Sequence, residues 1–426
     1  MLPSTRNLFD QYNHPENRLT HALISSIASD PVLLDKFIRW STGEKHRSSQ
    51  LHVVEQTLPG DEEPHDEDEA ERKGLPDGWI YDTGGWSLVI ESKIKSPLNR
   101  DQLERHRRTA EKRGFTHIHL LALVVDPPKA ESLSGIPVTV RKWTELYGWL
   151  LQEKQSDWAR RLTSYMAVLE QKLVRGHYLQ EGTLTLFAGI PFGKDEPYNY
   201  HEAKRLLRLA LDELRKRADL KDELGMDPES KGRSAITGRE STTVWDFLRL
   251  AQARGEHTEF PHLTLSIGEE QLQATVTVPN GIRRQFRVNL LSGGRDQFCA
   301  LFRKLLYNFN TSLKGVNGAA PWVEVFQRRY PTQRSEPIID ARIQFDLRTA
   351  FEEHKGVGTS VKQQQQWLEA TYDALAQKTS NLQLGVGAIF RNEHCPDVNT
   401  PEILNHVANI WLGCKPLIET LSGEKN

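Results

Sequence analysis

Apolar residues at positions 19, 22, 23 and 27 recur at the spacing of one helix face, and they predict helix within residues 8–40. Pro15 suits a first helical turn, with Asn13 or His14 near the cap. Residues 51–57 read as a short strand, and so do residues 76–81. Asp82-Thr83-Gly84-Gly85 is a turn, and residues 86–94 return as a second strand, making a hairpin. A helix over 99–113 follows. Residues 117–125 form a continuous apolar run, as in a strand buried on both faces. A strand over 136–142 and helices over 143–154 and 157–175 complete the series. This order predicts an α/β sandwich around a mixed sheet.

The pattern then changes. An apolar patch at 184–192 precedes an amphipathic helix over 200–224, with Leu206, Leu207, Leu209, Leu211 and Leu214 on and around one face. Residues 225–243 are rich in Gly, Ser, Asp and Thr and read as a linker or long loop. Beyond it, residues 272–278 alternate, Pro279-Asn280-Gly281 turns, and 282–290 returns, predicting a second hairpin. Helices are expected at 296–309, 361–378 and 401–421. The expected plan is an α/β domain over 1–180, a helical extension and linker over 181–243, and a separate α+β domain over 244–426.

Length agrees with that plan, since 426 residues fit two or three domains. The net charge is 55 − 57 = −2, which excludes a polycation that binds nucleic acid through its whole surface. Any such contact must be a local basic patch. No apolar run reaches 18 residues, so no membrane-spanning helix is expected. The first residues lack an apolar signal region, and three scattered cysteines make no disulfide framework. A cytoplasmic protein is expected. Residues 61–71 hold eight acids and read as a solvated loop.

Chemistry concentrates on the first hairpin. Leu88, Val89, Ile90 and Ile94 mark a buried strand, yet Glu91 and Lys93 stand in it, two apart and on one face. Buried charge is costly unless it is paired or metal-bound. Thirteen residues separate Asp77 from Glu91, so strand pairing brings both carboxylates to one end of the hairpin. Two such carboxylates need a cation, and hard oxygen ligands suit Mg²⁺ or Mn²⁺. Lys93 beside them would stabilise charge on a phosphoryl oxygen or orient a water. Plainer readings stand alongside. Glu91 and Lys93 would make a surface ion pair on an edge strand. Asp77 would start a turn, with Asp82 its rival as ligand. Glu16 would be a first-turn acid favoured by the helix dipole. The helix 99–113 carries Arg100, Arg105, Arg107, Arg108, Lys112 and Arg113, suited to a phosphate backbone or to i,i+4 pairs such as Glu104–Arg108. Arg283, Arg284 and Arg287 are a weaker basic candidate, and Lys204, Arg205, Arg208, Arg215 and Lys216 read as a helix coat. No phosphate-binding P-loop or nucleophile elbow is present, and His394, Cys395, His406 and Cys414 lack the spacing of a zinc knuckle.

Pro76-Asp77, thirteen residues, then Glu91-Ser92-Lys93 resembles the PD-(D/E)XK nuclease superfamily. Glu16 at the head of the first helix, Asp101-Gln102-Leu103-Glu104-Arg105-His106 after the Glu-x-Lys strand, and the Trp143-Thr144-Glu145-Leu146 helix extend the resemblance over about residues 8–175. In one branch of that superfamily a Tyr stands where this chain has His106. The resemblance implies a restriction-endonuclease-like fold, with a mixed sheet flanked by helices. It implies Asp77, Glu91 and the Ser92 carbonyl as metal ligands. It implies Lys93 acting on water or the scissile phosphate, Gln102 orienting Lys93 or a phosphate, and Glu16 linked to the metal.

The expected function is Mg²⁺-dependent (or Mn²⁺-dependent) hydrolysis of DNA phosphodiester bonds, with RNA a further substrate class. By analogy of fold the setting is bacterial anti-phage defence, with residues 244–426 as sensor for a ligand or partner protein. A homodimer would cut two strands. The competing expectations are a catalytically silent nucleic-acid-binding module and a structural subunit of a defence complex.

Overall fold

The computed structural model describes residues 14–46, 50–61, 75–233, 242–250, 258–279, 284–329, 338–351, 364–377 and 382–423, together with Phe9, Tyr12 and Pro331. It is a mixed α/β structure with two sheets, and it divides between Leu186 and Phe187. The first unit therefore ends six residues beyond the expected boundary at 180. Most of the acidic segment, residues 62–74, and the Asn280–Arg283 turn region lie outside the described residues.

The first unit opens with two helices where one stretch over 8–40 was expected: α1 (Pro15–Ser29) and α2 (Pro31–Thr42). Asp30 is the break. Its Oδ1 accepts hydrogen bonds from the Val32 and Leu33 N–H groups at 3.1 and 3.0 Å, capping α2, and Pro31 occupies the first turn. Five strands follow: β1 (His52–Glu55), β2 (Gly78–Tyr81), β3 (Trp86–Lys93), β4 (His117–Val124) and β5 (Val138–Lys142). They lie in the order β1-β2-β3-β4-β5. The first three pair antiparallel, and β3, β4 and β5 pair parallel, so the expected mixed sheet is present. Helices α3 (Arg100–Lys112), α4 (Trp143–Gln152) and α5 (Asp157–Arg175) complete the unit close to their expected positions.

Strand β3 is central, not an edge, and side-chain parity sorts its two faces. Leu88 and Ile90 pack with Leu19, Leu23 and Ile27 of α1 and with residues of α2, α4 and α5. Val89 packs with Trp79, Leu103 and Ala110 on the side of α3. Each such fully buried side chain contributes roughly 1.5–3 kcal/mol. Glu91 and Lys93 share the parity of Val89. At Gly78 a Cβ would meet Cδ1 of Ile24 at 2.5 Å, so glycine lets α1 lie close to β2 beside Asp77.

The second unit holds a six-stranded, wholly antiparallel sheet. Its strands are β6 (Thr243–Arg249), β7 (His262–Gly268), β8 (Gln271–Val278), β9 (Ala319–Arg329), β10 (Ile338–Asp346) and β11 (Leu382–Arg391), ordered β10-β9-β11-β8-β7-β6. The expected helix over 200–224 is two, α6 (Tyr200–Arg215) and α7 (Ala218–Leu224). Helix α6 packs on β6 and β7, so it belongs to this unit's core rather than to an extension between domains.

The expected second hairpin is not formed. Strand β8 pairs with β7 and β11, and its expected partner is helix α8 (Arg284–Leu291). Phe286, Val288 and Leu290 alternate along the chain as in a strand but stand in a helix. Val288 is 47% exposed, whereas Phe286 and Leu290, four apart on one helix face, join the core. Helices α9 (Gly294–Ser312) and α10 (Gln366–Ala376) lie within or around expected ranges, and the stretch 401–421 divides at Cys414 into α11 (Ile403–Gly413) and α12 (Lys415–Ser422). Among the described residues no helix is long and apolar enough to cross a membrane.

Candidate active site

Antiparallel pairing of β2 with β3 sets Gly78 opposite Ile90, and Asp77, the residue before β2, lies near enough to Glu91 to feel its charge. The expected convergence of the two carboxylates is therefore present. Asp77 Oδ2 accepts a hydrogen bond from the Ser92 N–H at 2.7 Å. Its Oδ1 has no hydrogen-bond partner among the described residues. The Asp77 carbonyl accepts from the N–H of Gln56 at 3.3 Å. Gln56 sits in the left-handed region, at φ 46°, which is costly for a residue with a side chain. No sequence signal marked it.

Glu91 is 1% exposed. Lys93 Nζ lies 2.7 Å from its Oε1, and Gln102 Nε2 donates to the same oxygen at 2.6 Å. His106 Nε2 lies 2.9 Å from Oε2. A carboxylate only accepts, so that ring nitrogen carries the proton. Gln102 and His106 are four apart on one face of α3, which explains why both reach one carboxylate. Gln102 therefore holds Glu91, whereas the resemblance implied that it orients Lys93 or a phosphate. His106 is bonded to the same carboxylate, and its i,i+4 spacing from Gln102 was the available signal.

Ser92 has the opposite parity and faces α1, where its Oγ lies 2.5 Å from Thr20 Oγ1. Glu16, one helical turn before Thr20, sends its carboxylate past the end of β3. Oε1 accepts from the Ile94, Lys95 and Ser96 N–H groups, and Oε2 lies 3.9 Å from Lys93 Nζ. Sequence reasoning did not single out Thr20. Asp82 is settled as a turn residue. Its Oδ1 accepts from the Gly84 and Trp86 N–H groups at 2.9 and 3.0 Å, and Gly85 takes φ 91° in the same turn.

The charges are unequal. Burial, then the negative charge of Glu91, push the Asp77 carboxyl well above the usual carboxylate range. Burial works in the same direction on Glu91, but the His106 hydrogen bond and the Lys93 ammonium outweigh it and hold Glu91 below that range. Burial would lower the Lys93 pKa, and the charges of Glu91 and Asp77 raise it instead. Lys93 is thus a retained cation, and Asp77 is the carboxyl of the pair that holds a proton to the higher pH.

No family model matches the chain, and no curated protein matches it.

A divalent cation between Asp77 and Glu91 would offset the repulsion that raises the Asp77 pKa. Among the described residues no three His, Cys, Asp or Glu side chains close on one point as ligands do. Mg²⁺ and Mn²⁺ need less, since one or two carboxylates, waters and substrate oxygens complete their shell. Asp77 offers the unengaged Oδ1, and Glu91 Oε2 has one accepting position beyond its His106 bond.

Other candidates disperse. On α3, Arg100 and Arg108 both pair with Glu104 at 3.0 Å, and Arg107 lies 3.5 Å from Glu111, the i,i+4 pattern of a solvated face. Arg287 donates to the carbonyls of Leu375 and Gln377 at 2.7 and 2.9 Å, so it braces α8. On α6 and its end, Arg205, Arg215 and Lys216 pair with Glu202, Asp212 and Glu213. His406 pairs with Asp397 at 2.8 Å, while Cys395 and Cys414 are buried thiols whose pKa burial pushes up.

Proposed function

We propose that the first unit is a metal-dependent nuclease of the restriction-endonuclease-like fold, hydrolysing DNA phosphodiester bonds. The observation that carries this reading is the cross-strand meeting of Asp77 and Glu91 with Lys93 on the same face, at the end of a mixed sheet's central strand. Asp77, Glu91 and the Ser92 carbonyl would hold Mg²⁺ or Mn²⁺, which when bound supplies Lewis-acid polarisation of the phosphoryl group and a more acidic water.

The chain's own residues do the rest. Lys93 keeps a full positive charge in a poorly solvated place, where it opposes charge developing on a phosphoryl oxygen. Gln102 and His106 fix the Glu91 carboxylate from α3, so its orientation does not depend on substrate. With its pKa raised, Asp77 must give up its proton before it acts as a ligand, and it does so at a higher pH than an ordinary carboxyl.

A second reading, a catalytically silent nucleic-acid-binding module, draws on one observation. Lys93 and Gln102 already fill Glu91 Oε1, and His106 holds Oε2. The test is cleavage of plasmid, linear and single-stranded DNA by wild type and Lys93→Ala, with Mg²⁺, Mn²⁺ or EDTA. Metal-dependent cutting that Lys93→Ala loses supports the nuclease. Metal binding without cutting favours the silent module, and neither metal binding nor cutting ends the nuclease reading.

A further inference from the structure

We propose that Glu16 is a positioning residue that clamps the chain around Lys93, and not a metal ligand. The proposal rests on the nuclease reading for its kinetic consequence, but its structural part stands without it. Glu16 Oε1 accepts from the Ile94 N–H at 3.2 Å, the Lys95 N–H at 3.2 Å and the Ser96 N–H at 3.3 Å, and from the Ser96 hydroxyl at 3.2 Å. Successive backbone N–H groups that converge in this way form a concave anion site. Here the anion is the chain's own side chain.

The donor count decides what Oε1 can do. An oxygen with two lone pairs that already receives four donors has no accepting position for a cation. Oε2 lies 3.9 Å from Lys93 Nζ, beyond hydrogen-bond length but close enough for attraction between charges. Oε1 is thus committed to the chain after Lys93, and Oε2 is turned toward the Lys93 ammonium.

Helix α1 touches β3 at a second point. Thr20, one turn after Glu16, donates its hydroxyl to the Glu16 carbonyl at 3.0 Å and meets Ser92 Oγ. Thr20 therefore holds the residue before Lys93, and Glu16 holds the three residues after it. Lys93 is the residue between the two attachments. The same three residues open the connection to α3, which delivers Gln102 and His106 to Glu91. Releasing Glu16 would loosen both the origin of the Lys93 side chain and the start of α3.

The experiment compares wild type with Glu16→Gln and Glu16→Ala. Glutamine keeps an uncharged acceptor for the three N–H groups, and alanine keeps none. Hydrogen exchange is measured on the metal-free proteins over the peptide spanning residues 94–96. Mn²⁺ affinity is measured by calorimetry, and kcat and KM by DNA cleavage. Glu16→Ala is expected to lose at least tenfold in amide protection and more than tenfold in kcat, with KM within twofold of wild type. Glu16→Gln is expected to recover protection and kcat to within threefold, and Mn²⁺ affinity is expected to stay within threefold in both variants. A tenfold or greater loss of Mn²⁺ affinity in Glu16→Gln overturns the proposal, because loss of a charged ligand has that effect. Unchanged protection in Glu16→Ala overturns it too. If Glu16→Ala fails to fold, Glu16→Gln still decides through its protection and Mn²⁺ affinity. A wild type that neither binds Mn²⁺ nor cuts removes the nuclease reading, while the exchange measurement still decides the clamp.

Discussion

Asp77, the residue before β2, and Glu91 of β3 act on one another's charge, yet their pKa values move in opposite directions, Asp77 upward and Glu91 downward. The cause lies in their partners. Glu91 has Lys93, Gln102 and His106 on its two oxygens, while Asp77 has one backbone N–H. Two carboxylates in one poorly solvated place do not both ionise readily, and the better-supplied one keeps the charge.

The raised Asp77 pKa sets the sign of a pH effect on metal binding. In the free protein Asp77 is protonated at any pH below its raised value, and a ligand must be deprotonated. Mn²⁺ affinity is therefore expected to rise with pH, by about tenfold per unit for one released proton, until the pH passes that value. Calorimetry in buffers of different ionisation enthalpy counts the proton. A pH-independent affinity with no proton released would show that Asp77 is not a ligand.

Stability of the metal-free protein has the opposite sign. A group whose folded pKa is raised contributes stability below its unfolded pKa, and that contribution is lost as pH rises through the folded pKa. Asp77→Asn removes the titration and is expected to raise the metal-free Tm at neutral pH. It is also expected to abolish the Tm gain that wild type shows with saturating Mg²⁺. Thermal melts with and without Mg²⁺ check both halves.

Removing Lys93 strands a carboxylate that is 1% exposed. Lys93→Ala is expected to destabilise the fold by about 3 kcal/mol, since a buried charge loses its counter-ion. It is also expected to lower metal-dependent cleavage by at least about 100-fold, the scale of losing one positioned electrostatic stabiliser. Urea unfolding and cleavage rates report these separately. A variant as stable as wild type would mean that Glu91 takes up a proton or another partner at little cost.

His106→Ala takes the donor from Glu91 Oε2 and is expected to cost about 1–3 kcal/mol, the range for an unsatisfied buried acceptor. Because Glu91 then loses the hydrogen bond that keeps its folded pKa low, the share of stability it gives up on acidification should become smaller. Urea midpoints across a pH series test this, and an acid limb that overlays wild type would contradict it.

The helical assignment of α8 makes its own prediction. Leu290→Ala is expected to cost about 2–5 kcal/mol, as for a truncated core leucine. Val288→Ala should change stability by no more than about 0.5 kcal/mol, because Val288 is exposed. A hairpin strand with 286, 288 and 290 on one face would make all three costly.

The amino-acid sequence by itself determined most of the first unit. The hairpin, the buried run of β4, α3 and α5 were legible because local periodicity and turn residues agree there with the final packing. Parity on one strand put Glu91 and Lys93 on one face, and i,i+4 spacing on one helix put Gln102 with His106. Only the tertiary structure decided what those groups do to one another. Strand register set Asp77 against Glu91, and helix packing delivered Gln102 and His106 to that same carboxylate. The approach of α1 placed Glu16 on three backbone N–H groups about 80 residues ahead in sequence. Such contacts depend on loop closure and packing between elements, which no window of periodicity contains. The same limit explains α8, where Phe286, Val288 and Leu290 fit both a strand and a helix. The core that accepts Phe286 and Leu290 and leaves Val288 in water is assembled from strands and helices far apart in the chain.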